Sequence, residues 1–178
     1  MKLRLVRLLA LGLLAACTSV PVSTLWKLAR FDRAQLLAVD PAQLRAAALV
    51  DSRATMRDVT MKITLTPAGA SPADYSIALT APVDRDARLP AAPAGRRWEI
   101  FALEPAGQRE FLRMREAATL LPKGSGLTLS LSAREGNVPP DLMQRFPLRL
   151  ELLLDTQDGW FTVLKDSELD LTRYAGKG

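Results

Sequence analysis

The sequence has no histidine and a single cysteine, Cys17. Without histidine the commonest general base and the commonest metal ligand are missing. A Ser-His-Asp or Cys-His nucleophile system is excluded, as is a typical zinc site built from Cys and His. One cysteine forms no intramolecular disulfide. Aromatic residues are sparse, at 6%, and three of them are tryptophans. Beyond residue 16 no apolar run approaches the roughly 18 residues needed to cross a bilayer. Lys/Arg-rich runs of nucleic-acid-binding type are also missing, and Arg96-Arg97 is the only adjacent basic pair after residue 16.

Carboxylates, lysine and tyrosine are the catalytic groups left, and no carboxylate pair is spaced for acid/base work. Asp84 and Asp86 stand in a run with Arg85 and Arg88. Two carboxylates fall short of the six to eight oxygens calcium takes, so surface ion pairs are expected there. The acidic residues Asp155, Asp158, Asp166, Glu168 and Asp170 lack the spacing of a calcium loop. Gly124-Ser125-Gly126 is too short for a phosphate loop. No catalytic, cofactor-binding or metal-binding residue is expected.

What is present at the start is an address. Residues 1–7 (MKLRLVR) are basic and residues 8–14 (LLALGLL) are apolar. Small residues follow. This is the layout of a secretory signal, too short for a spanning helix. Lys2, Arg4 and Arg7 belong to it. Of 24 Lys and Arg, 21 remain against 19 Asp and Glu, so the net charge falls from +5 to about +2. The apparent basicity therefore gives no reason to expect a nucleic-acid partner.

Leu14-Ala15-Ala16-Cys17 resembles the lipobox of bacterial lipoproteins. That resemblance implies cleavage before Cys17, lipid on its thiol and acylation of the new amine. Two or three acyl chains make a stable anchor where one is marginal. Thr18 rather than aspartate after the cysteine implies transfer to the outer membrane, on its periplasmic side. Leu25-Trp26-Lys27-Leu28 to Phe31-Asp32, followed by Asp40-Pro41-Ala42-Gln43-Leu44-Arg45, looks like the start of small proteobacterial outer-membrane lipoproteins. These place a short Trp-containing helix before a β-rich domain, and the resemblance carries no activity with it.

The expected organisation is a signal peptide at 1–16, a lipidated tether at 17–23 and one β-rich periplasmic domain at 24–178. Residues 24–39 have helical spacing, with Asp32 a point where the helix divides and Asp40-Pro41 its end. The period then changes to two. Residues 58–66, 74–81, 126–134 and 146–155 alternate apolar with polar and predict strands wet on one face. Residues 43–50, 97–104 and 160–165 predict three more, and Asp158-Gly159 predicts a hairpin turn. Within 107–121, Phe111, Met114, Ala118 and Leu121 line one helical face, and Pro122 and Gly124 close the helix. Residues 67–73, 82–96 and 136–141 are loops, the second long for a compact domain. The fold expected is mainly β, a β-sandwich or open antiparallel barrel with one or two peripheral helices.

Trp26, Trp98 and Trp160 are the candidate partner surface, since an exposed tryptophan marks a binding site. The expected role is a lipid-anchored, non-enzymatic binding or envelope-assembly protein. Its partners are the membrane, through Cys17, and an envelope protein or lipid. The alternative is a carrier holding a small apolar or lipidic ligand between the sheet and helix 107–121, which needs a cavity of roughly 300 Å³ or more.

Overall fold

A computed structural model describes residues 33–155, 157 and 159–173. Cys17, the tether and Trp26 lie outside these residues, as does most of the helix expected over 24–39. Its last part is α1, Arg33–Ala38. The strands are β1 (Arg45–Asp51), β2 (Met56–Thr66), β3 (Ala73–Val83), β4 (Arg96–Leu103), β5 (Gly126–Glu135), β6 (Phe146–Leu153) and β7 (Phe161–Leu169). Helix α2, Pro105–Thr119, joins β4 to β5.

The seven strands form one antiparallel sheet in the order β5-β2-β3-β4-β1-β6-β7, curled into a nearly closed barrel. Period-two patterning explains its inner face. Val59, Met61, Ile63 and Leu65 of β2 are all buried, and so are Ala46, Ala48 and Val50 of β1 and Leu148, Leu150 and Leu152 of β6. The inward row of β5 (Leu127, Leu129, Leu131 and Ala133) is only half-buried, since β5 is a sheet edge. Burial of one such aliphatic side chain contributes about 1.5–3 kcal/mol.

Helix α2 starts with Pro105, whose fixed φ and missing N–H suit the first helical position. Phe111, Met114 and Ala118 face the core and are fully buried, so the helix packs on the sheet as its apolar stripe predicts. Gly107 permits this approach. A Cβ there would lie 3.0 Å from the Ala78 carbonyl oxygen and 3.1 Å from Leu103 Cδ2. The helix stops where Pro122 follows and Gly124 turns with φ +88. Helix α1 packs on α2, and Arg115 donates to the Val39 carbonyl at 3.3 Å.

The alternation fails at two places, each for a physical reason. In β3, Leu79 pairs with Leu103 but Ala81 pairs with Ala102, so Thr80 is an extra residue. This bulge flips the following residues. Ala81, expected on the core face with Leu79, is thereby turned to the outer face, and Val83 comes opposite Ile100. The second place is the centre of the sheet. Ile100 to Leu103 of β4 and Ala46 to Val50 of β1 are buried without interruption. Strands covered on both faces lose the clean alternation. The β6–β7 hairpin forms, with Leu152 opposite Phe161. Its connection is longer than a two-residue turn, and Gly159 takes φ +70 within it.

Candidate binding face

The outer face of β4 and β1 carries a second apolar cluster. Ala47, Leu89 and Ile100 are buried there, with Val83, Trp98 and Trp160 packed around them. Several separate elements contribute to this cluster. The β3 bulge delivers Val83, pleating delivers Ala47, Trp98 and Ile100, and the long loop delivers Leu89.

That loop, residues 84–95, is folded down onto the sheet and pinned along its length. Asp86 accepts from the Arg88 backbone N–H at 2.9 Å and from Arg88 Nε at 2.9 Å. The Asp86–Arg88 ion pair closes at 2.6 Å through Nη2. Leu89 N–H donates to the Asp86 carbonyl at 3.1 Å. The Trp98 indole N–H donates to the Pro90 carbonyl at 2.8 Å. Ser52 N–H donates to the Gly95 carbonyl at 2.9 Å, and Gly95 adopts φ +76, a conformation open to glycine. The ion pair expected in the Asp84–Arg88 run is therefore present, and it shapes a loop.

Two hollows flank Trp98. One, of about 390 Å³, lies under the loop between Asp84, Arg85, Asp86 and the apolar floor of Leu89, Trp98 and Ile100. The other, of about 300 Å³, is bounded by Pro82, Arg97, Glu99 and the same two sheet residues, Trp98 and Ile100. Neither is lined by a residue of α2. Between α2 and the sheet stand Phe111, Met114 and Ala118, fully buried.

The electrostatics of the face are set by arginine. Arg88 holds the Asp86 carboxyl down at about 2, against the opposing effect of burial, and Trp160 also favours the ionised form. So low a value makes Asp86 a weak base. The enclosed Trp160 Nε1 acts on the Asp86 carboxylate without reaching full hydrogen-bond geometry. Across the sheet, the Arg149 guanidinium lies 6.0 Å from the Trp98 ring centroid, in cation–π range. Arg149 Nε donates to Glu151 at 2.7 Å, and the Thr162 hydroxyl donates to the same oxygen at 2.8 Å. Arg96 pairs with Asp166 at 2.9 Å and donates to the Leu49 carbonyl at 2.7 Å.

Of the three tryptophans singled out in the sequence, Trp98 and Trp160 meet on this face and are half-buried; Trp26 lies outside the described residues. Glu151 is a residue the sequence misplaces. The β6 alternation puts it on a wet face, but it is only 4% exposed, held by Arg149 and Thr162. The spacing Arg149-x-Glu151, one face of a strand, is the signal that an intrastrand ion pair is possible. Asp58 is likewise buried, paired with Arg134 across β2 and β5. Comparison of the chain with known protein families, with curated proteins and with solved structures finds no match.

Proposed function

We propose that this chain is a lipid-anchored, periplasm-facing lipoprotein of the outer membrane, non-enzymatic, that binds an envelope component through the face around Trp98. The anchor rests on the Leu14-Ala15-Ala16-Cys17 motif behind a basic and apolar leader. The observation that carries the binding role is Trp98 itself. One indole, fixed by the Pro90 carbonyl and the Arg149 cation, borders both hollows on a sheet face edged with arginine. Tryptophan and arginine are the residues that dominate binding hot spots. Asp86, tied to Arg88, supplies shape rather than proton transfer.

The carrier reading is favoured by one observation, the hollow of about 390 Å³, which is in the range of small-ligand sites. It would place the ligand under the 84–95 loop rather than beneath α2.

The test uses the full chain in envelopes, with a photo-crosslinking amino acid at Arg85. A discrete protein adduct, lost in Trp98→Ala, is the expected result. A lipid or small molecule released from the purified protein by organic extraction, and absent from Trp98→Ala, supports the carrier instead. Absence of both an adduct and an extractable ligand overturns the binding role. The anchor is checked separately: Cys17→Ser must leave the membrane fraction.

A further inference from the structure

Among the described residues, the large hydrophobic side chains that stand exposed are Leu112, at 40%, and Leu120, at 80%. Isolated exposed leucines are ordinary, but both of these belong to one stretch of chain. Leu112 lies on α2 and Leu120 is its C-cap. They sit roughly 12 Å apart along the helix and about 80° apart around it, on the side away from Phe111, Met114 and Ala118. Between and beside them stand Arg109 and Arg113, with Lys123 just past the helix end, all exposed. The acidic residues nearby are Glu116, exposed, and Glu110, which pairs with Arg113 at 3.0 Å. Leucines interleaved with cations are what an interfacial helix presents to lipid headgroups.

The position of this face fits one occupant. Helix α2 is in contact with α1, and α1 begins at Arg33. The segment from Cys17 to Asp32 leads into it and spans at most roughly 50 Å when extended. The chain therefore joins the domain on the side where α2 lies. The Trp98 face belongs to the opposite side of the sheet from the core that α2 covers.

We propose that the exposed face of α2, built from Leu112, Leu120, Arg109, Arg113 and Lys123, rests on the anionic surface of the membrane that holds Cys17. The inference depends on the lipoprotein reading above. It makes the anchor an orienting device as well as a tether. With α2 on the bilayer, the Trp98 face is left open to the periplasm. An apolar patch edged with cations beside a lipid chain is a second membrane signal.

The experiment uses full-length lipidated protein in vesicles of phosphatidylethanolamine with phosphatidylglycerol as the anionic component. Single-cysteine variants Leu112→Cys, Leu120→Cys and Ala87→Cys carry a nitroxide label. Cys17 is blocked by its own lipid, which intact mass confirms. The expected result is a severalfold lower accessibility to an aqueous relaxant at 112 and 120 than at 87, lost in a variant with Arg109, Arg113 and Lys123 changed to Gln. Equal accessibility at all three positions, with the protein still floating with the vesicles, overturns the proposal and leaves the lipoprotein reading intact. An intact mass without lipid on Cys17 overturns both. Thermal unfolding of each variant within a few degrees of the parent shows that the fold is kept.

Discussion

Asp86→Asn tests whether one ion pair holds the 84–95 loop on the sheet. The parent carboxyl titrates at about 2, against 3.8 for a free aspartate, with Arg88 the first cause. Its folded value is depressed, so its contribution is complete above about pH 4. It fades as pH falls from there toward 2, because the unfolded chain takes up the proton first. The difference corresponds to about 2 kcal/mol at neutral pH, at 1.36 kcal/mol per unit. The Asp86 side chain is 12% exposed but its partner Arg88 is 42% exposed, so solvent screening reduces this to about 1–2 kcal/mol. Asparagine keeps the shape and loses the charge. Urea denaturation at pH 7 and at pH 2.5, followed by tryptophan fluorescence, measures the contribution at both ends. The expected result is a variant about 1–2 kcal/mol less stable at pH 7, with roughly a third of that deficit left at pH 2.5. Arg88→Gln should show the same pattern, and the double variant should cost little more than either single one. A deficit that stays constant between the two pH values would refute the electrostatic account. It would mean that Asp86 acts through packing and loop geometry alone.

Two further substitutions probe the frame that holds the Trp98 face. Phe111→Ala removes the largest side chain that α2 buries and should cost about 3–5 kcal/mol in urea denaturation, with the slope unchanged. Gly136→Ala places a methyl 2.6 Å from Thr55 Oγ1, which accepts the Asn137 N–H at 2.7 Å. It should cost about 1–3 kcal/mol and speed hydrogen exchange at Thr55 and Asn137, whose backbones bond at 2.8 Å; unchanged exchange would show that the hydroxyl turns aside freely.

Much of the architecture is legible in the residues because it follows from local periodicity. The rows Val59-Met61-Ile63-Leu65 and Leu148-Leu150-Leu152 can bury their apolar sides only as strands. Phe111, Met114 and Ala118 can do so only as a helix. Seven strands, the α2 helix and the mainly β class follow from such patterns. The absence of histidine closes off whole chemistries by composition alone.

The face around Trp98 is different, because no local rule assembles it. Strand order brings β1 between β4 and β6, so Trp98 comes within reach of Arg149, some fifty positions along the chain. The β3 bulge adds one residue and sends Val83 to the outer face. A loop that reads as solvent-exposed from its prolines and charges buries Leu89 and roofs a hollow. Glu151, polar in a polar position, turns out enclosed because Arg149 and Thr162 satisfy its charge there. The sequence by itself determined which segments are strands and which side of α2 meets the core, since both depend on spacing within one segment. Only the tertiary structure decided which residues meet on the outer face, since that depends on pairing between segments distant in the chain.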